Sequence, residues 1–111
     1  MKVLIVEPGK PARKAEIDNN LKAMQETVGG YIETVTPFRE DVVLIVNEEG
    51  KLKDLPLCRT LVRREWTRMG PIMGTFIVCG IDWDEGEFRG LSDKQANALK
   101  HKFDWPTVLV D

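Results

Sequence analysis

The stretch from Gly70 to Phe103 constrains the fold most, because it specifies a strand and a helix in close succession. Within it, the run Gly74–Gly80 (GTFIVCG) is apolar, β-branched and aromatic, and it lies between glycines. This composition is typical of a strand that is buried on both faces of a sheet. Pro71 cannot donate to a sheet ladder, so we expect this strand to begin after it.

The helix that follows has the best-specified start in the chain. Ser92 stands where an N-cap is expected, and Gln95 three residues later completes a capping box. The positions spaced three and four apart after it are apolar, which predicts an amphipathic helix with one buried stripe. The residues of that stripe are Ala96, Leu99 and Phe103.

The first third of the chain predicts a strand, a loop and a second helix. The apolar run 3–6 reads as an interior strand, and the prolines and glycine of residues 8–11 require a loop. From Lys14 onward the apolar residues recur with the period of a helix, and Gly29-Gly30 supplies a left-handed C-terminal cap. The apolar stripe of this helix is Ile17, Leu21, Met24 and Val28.

The remaining segments predict further strands. Residues 31–36 form a half-exposed strand, 42–46 a buried strand, and 107–110 a last short strand. Residues 47–50 have turn chemistry, and 51–53 are expected to start a short return strand. Residues 55–69 fit no regular pattern and are interpreted as a loop or short helical turn followed by an irregular segment.

This order predicts an α+β fold in one domain, residues 1–111. We expect a mixed β-sheet of about five strands with two amphipathic helices packed on one face. A ferredoxin-like variant with at least one extra strand is one such arrangement. The strands at 3–6 and 31–36 are joined either by a parallel crossover or by an antiparallel pairing.

Composition excludes several functional classes. The chain has 16 basic and 18 acidic residues, a net charge of −2, which argues against coating nucleic acid through bulk charge. No segment is apolar and long enough for a signal peptide or a membrane span. Cys58 and Cys79 lack the spacing of a metal or redox motif, so we interpret them as reduced structural thiols of a cytoplasmic protein.

The arginine-rich stretch after Leu55 is the strongest functional signal. Guanidinium groups bind phosphate in a bidentate manner, and an indole stacks on a base, so this set suits a nucleotide or another phosphorylated small molecule, or a short nucleic-acid segment. The commonest role of such arginines is nevertheless a solvated or structural face, and arginines with a tryptophan also form protein interfaces. The candidate ligand-binding residues are Arg59, Arg63, Arg64, Trp66 and Arg68.

The acidic turn 82–87 (DWDEGE) is the second candidate surface. Four carboxylates in six residues suggest a hard cation, but the spacing lacks the order of a calcium loop. We therefore expect a solvated turn, with Trp83, Asp84 and Glu85 as a partner surface and no metal. The single histidine, His101, is expected to face solvent, and no catalytic residue or cofactor is predicted.

Several segments together resemble one small family of unknown function that is found in phages, plasmids and other mobile elements. They are VLIVEPGK, GGYIE, LIVNEEGKL, LPLCR, GTFIVCG and EFRGLSDKQ, which span roughly residues 2–103 in the family's order. The family usually has asparagine at the position of Cys58, so no role is carried onto this cysteine. The resemblance implies a cytoplasmic accessory protein of a mobile element and no established activity.

Two functions follow as leading hypotheses, and an enzyme that uses the acidic turn with a divalent metal ranks behind both. The first is a non-enzymatic phage or mobile-element binding protein that sequesters a nucleotide signal or inhibits a host protein, as a counter-defence factor. The second is a structural module that forms a homodimer, either through an unpaired sheet edge or through the turn at Trp83.

Overall fold

A computed structural model of the chain describes residues 1–63 and 68–110, with only the backbone given for Arg68. These residues form two α-helices and nine β-strands in two sheets, so the predicted α+β class is confirmed. In chain order the elements are β1 (Lys2–Val6), β2 (Arg13–Glu16), α1 (Leu21–Val28), β3 (Ile32–Val35), β4 (Val42–Asn47), β5 (Leu57–Val62), β6 (Arg68–Met73), β7 (Phe76–Asp82), β8 (Glu87–Arg89), α2 (Asp93–Phe103) and β9 (Thr107–Leu109).

The larger sheet is antiparallel and has the strand order β2-β1-β7-β4-β3, with β8 paired to the far end of β7. The smaller sheet has the order β6-β5-β9, in which β5 is antiparallel to β6 and parallel to β9. Only this second sheet is mixed. The strands predicted at 3–6 and 31–36 are not neighbours, because β7 and β4 lie between them.

The two faces of the larger sheet carry separate cores. Side chains alternate along a strand, so β4 sends Leu44 to one face and Ile45 to the other, and both are fully buried. One face packs against α1 through Met24 and Val28. The opposite face packs against α2 and the smaller sheet, where Phe103 makes edge-to-face contacts with Phe76 and Phe38.

The helices therefore lie on opposite faces, and the prediction that both pack on one face is wrong. The ferredoxin-like variant is wrong for the same reason, because it too has both helices on one face of the sheet. The physical reason is that residues 3–6 of β1, 42–46 of β4 and 76–79 of β7 are apolar toward both sides of the sheet, so each face needs its own cover. Sequence periodicity gives the buried stripe of α2 but only part of that of α1, where Met24 and Val28 are buried while Leu21 is 57% exposed. It does not give the face of the sheet that receives either helix.

The first helix begins later than its apolar period predicts. Asn20 is the N-cap and accepts a hydrogen bond from the Ala23 amide, so α1 starts at Leu21 rather than near Lys14. Residues 13–16 instead pair with β1 as an edge strand. The predicted C-terminal cap is confirmed, since Gly29 has φ of 81° and its amide donates to the Gln25 carbonyl.

Two further segments differ from prediction. Residues 51–54 continue a turn and do not form the return strand expected at 51–53. Within the segment expected to be irregular, 57–62 and 68–73 are the strands β5 and β6, while 64–67 lie outside the described residues. Pro71 is compatible with β6 because this strand is at the edge of its sheet.

Candidate binding groove

The predicted arginine cluster is divided by the fold. Arg59 is only 3% exposed, and its guanidinium donates to the backbone carbonyls of Phe103 at 2.8 Å, Cys58 at 2.8 Å, Glu7 at 3.4 Å and Lys10. These carbonyls belong to the end of α2, to β5 and to the loop after β1. Arg59 thus ties three segments together and does not present its donors to solvent.

The other candidate arginines lie at the far end of β5. Arg63 is exposed, and its Nε lies 3.4 Å from the Met69 sulfur. Four residues of extended chain separate it from Arg59 by about 13 Å. Arg64 and Trp66 are outside the described residues, and Arg68 is placed only as the backbone partner of Val62.

The acidic turn is organised by hydrogen bonds of its own. The Asp82 carboxylate accepts the amides of Asp84 at 3.0 Å and Glu85 at 3.4 Å, and it also pairs with Arg89. Trp83, which is 56% exposed, projects from this turn with Asp84 and Glu85 beside it. Within residues 1–63 and 68–110, no three acidic, histidine or cysteine side chains are grouped as a metal site would require.

Neither thiol is disposed to act as a nucleophile at neutral pH. Burial raises the pKa of Cys58 to about 11 and that of Cys79 to about 12, which keeps both protonated. The Cys58 thiol donates to the Val6 carbonyl at 3.4 Å. His101 is exposed on α2, as its position opposite the apolar stripe predicts.

A groove between the two sheets was missed by sequence reasoning. Its volume is about 290 Å³, and it is more enclosed than the hollow beside Met1 and Glu16. Apolar side chains from both sheets and from the turn after β4 line it, including Val35, Val46, Leu52, Leu61, Met69 and Ile72. The groove depends on β6, and a strand is not predicted there because Pro71, Gly70 and Gly74 interrupt the strand pattern of the sequence.

The turn after β4 closes one end of the groove. Asn47 is buried and holds the turn by donating to the Val28 carbonyl at 3.1 Å and accepting the Glu49 amide at 2.9 Å. Gly50 passes so close to β6 that a Cβ there would lie 2.7 Å from the Met73 carbonyl oxygen. Leu52, two residues further along the turn, lies at the rim and is 87% exposed.

Among the described residues, the charged side chains at the rim of the groove are two carboxylates and one ammonium group. They belong to Glu33, Glu48 and Lys51. In the described part of the chain, neither glutamate takes part in an ion pair. The arrangement therefore combines apolar walls, which exclude water, with carboxylates that favour a cation.

A sequence model of the family described as a domain of unknown function, DUF3846, matches residues 1–104. The chain belongs to this family. The DUF3846 match covers both helices and all strands but β9. Searches of curated proteins and of solved structures returned no match. Among the residues described, neither helix is long and apolar enough to cross a membrane.

Proposed function

We propose that this protein is a non-enzymatic binding protein that captures a partner protein in the groove between its two sheets. The observation that carries the proposal is the groove itself, in which apolar side chains from both sheets converge beside the outer edge of β3, which pairs with no further strand among the described residues. Exposed apolar surface rimmed by polar groups is a feature of protein interaction sites. Leu52 and Met69 supply such surface here.

The geometry favours a protein over a phosphorylated small molecule. Glu33 and Glu48 at the rim repel a phosphate, and the N–H groups of Arg59 already donate to backbone carbonyls. Arg63 remains the exposed arginine of the predicted set whose side chain is described. Sequestration of a nucleotide signal stays as the alternative, with Arg63 and Arg64 as its contacts.

The biological setting follows from the family resemblance. Families carried by phages and plasmids include small proteins that block a host factor, so we propose a cytoplasmic accessory role of this kind, with counter-defence as its purpose. The partner is then a host protein. A bound second copy of the chain is the structural alternative, and the unpaired sheet edge would be its interface.

Native mass spectrometry of untagged protein recovered from its host tests the proposal. We expect a bound host polypeptide in the wild type and a loss of affinity of about tenfold or more in Leu52→Asp, because burying an unpaired carboxylate is costly. Leu21→Asp is the matched control, since Leu21 is also exposed but lies on α1, across the larger sheet.

Each other outcome counts against the proposal. A bound mass of several hundred daltons that disappears in the Arg63→Ala, Arg64→Ala double variant would support nucleotide sequestration instead. A second copy of the chain, confirmed by light scattering at several concentrations, would support the homodimer. A host polypeptide that binds Leu52→Asp and the wild type equally would remove the groove from its interface.

A further inference from the structure

We infer that the exposed edge of β3 accepts an added strand: an extended segment of the partner protein with a basic residue two positions from an apolar residue. The inference rests on the proposed function and specifies the chemistry of the partner. It follows from the direction of the β3 backbone, the nature of the other sheet edges, and the side chains beside β3.

The register of β3 shows which of its backbone groups are unpaired. The Glu48 amide donates to the Tyr31 carbonyl at 2.9 Å, so this pair is hydrogen-bonded, and antiparallel pairing alternates from there. Glu33 and Val35 therefore direct their amides and carbonyls toward β4. Ile32 and Thr34 direct theirs away from the sheet, where an incoming strand can pair with them.

The other described edges are protected in ways that β3 is not. Three of the four residues of β2 are charged, β6 contains Pro71 and two register shifts, and β8 and β9 have three residues each. The Leu109 carbonyl on β9 already accepts a hydrogen bond from Lys102. Strand addition is disfavoured by charges, by proline, by irregular pairing and by short length. By contrast, β3 contains no proline and carries one charge, on Glu33.

Side chains beside β3 select the segment that binds. Glu33 and Val35 point into the groove, while Ile32 packs on the opposite face against the α1 cluster. In an added strand, the residues across from Glu33 and Val35 would have their Cβ atoms about 4.5–5.5 Å from those of β3. A lysine or arginine opposite Glu33 gains an ion pair, and an apolar residue opposite Val35 enters the groove.

A display library of short random peptides, panned against the wild-type protein, tests this chemistry. We expect enrichment of Lys or Arg two positions from Val, Ile or Leu. A synthetic peptide of the enriched sequence should then slow hydrogen exchange of the Ile32 and Thr34 amides. The amides of Glu33 and Val35 are bonded within the sheet and should be protected with or without the peptide.

Two variants of β3 and one control make the test specific. Thr34→Pro removes an outward-facing backbone N–H without breaking the pairing to β4. It should lower the affinity for the peptide by about tenfold or more. Lys14→Pro makes the same change on the edge strand β2 and should leave binding unchanged. Glu33→Lys should reject the enriched peptide and bind its analogue with Glu in place of the basic residue.

The results separate this inference from the proposed function. No enrichment, or full binding by both β3 variants, overturns strand addition at β3. Strand addition is also overturned if the Leu52→Asp variant loses the host polypeptide but the Thr34→Pro variant retains it. That result would leave the groove as the binding site. A wild-type dimer that Thr34→Pro converts to monomer would show that the edge belongs to a second copy, which also overturns the inference.

Discussion

The guanidinium of Arg59 lies among four backbone carbonyls and is nearly inaccessible to solvent. A buried cation is costly unless its donors are satisfied, and here the carbonyls of α2, β5 and the loop after β1 satisfy them. The position near the end of α2 adds a favourable interaction with the helix dipole. Arg59 therefore stabilises the fold rather than recognising a ligand.

Replacing Arg59 by Ala should lower the free energy of unfolding by about 2–4 kcal/mol, because several buried carbonyls lose their donors. Urea unfolding monitored by circular dichroism measures this. Arg63→Ala is the matched control: its side chain is exposed, so we expect a change within about 0.5 kcal/mol. If Arg59→Ala were as stable as the wild type, the hydrogen-bond network around it would be wrong.

The sequence identifies the candidate arginines but does not show which of them is buried and which is exposed. Arg59 and Arg63 are the same residue type in the same stretch of sequence, so the sequence does not distinguish them. The pairing of β5 with β6 and β9 buries Arg59 and leaves Arg63 exposed. The groove was beyond reach for a related reason. Its lining comes from segments distant in the chain, Val35, Leu52 and Met69 among them, and no local pattern links these.

At the scale of elements, the two helices show what local signals determine. The start of α2 was predicted to the residue because Ser92 and Gln95 form a capping box in both directions. The start of α1 was predicted too early because the apolar period continues back to Ile17. Pairing of residues 13–16 with β1 overrides that period, and Asn20 becomes the cap.

Removing the α2 cap should have a measurable cost. In Ser92→Ala, the Gln95 amide loses its acceptor, and we expect about 1 kcal/mol lower stability from urea unfolding. Lys94→Ala, at an exposed position in the first turn of the same helix, should change stability by no more than about 0.3 kcal/mol. Equal stability of Ser92→Ala and Lys94→Ala would mean that the capping box contributes nothing.

At the scale of the whole molecule, the larger sheet is a shared wall between two cores. The apolar runs predict an interior strand for β1, a buried strand for β4 and burial on both faces for β7, and these predictions are confirmed. The smaller sheet was not predicted, because β5 interleaves Arg59 and Thr60 with apolar residues and β6 contains Pro71. Together with α2, this sheet covers one face and creates the groove at its margin.

The last strand tests whether the smaller sheet belongs to that core. The DUF3846 match ends at residue 104, yet β9 pairs with β5, and Val108 is 1% exposed inside the cluster that contains α2. Val108→Ala should therefore lower the free energy of unfolding by about 2 kcal/mol through lost burial and an unfilled cavity. Its neighbour Leu109 is 40% exposed, so Leu109→Ala should cost no more than about 0.5 kcal/mol. Urea unfolding of the two variants decides the point: a larger loss in Leu109→Ala would reverse the alternation of β9, and no loss in either would separate this strand from the core.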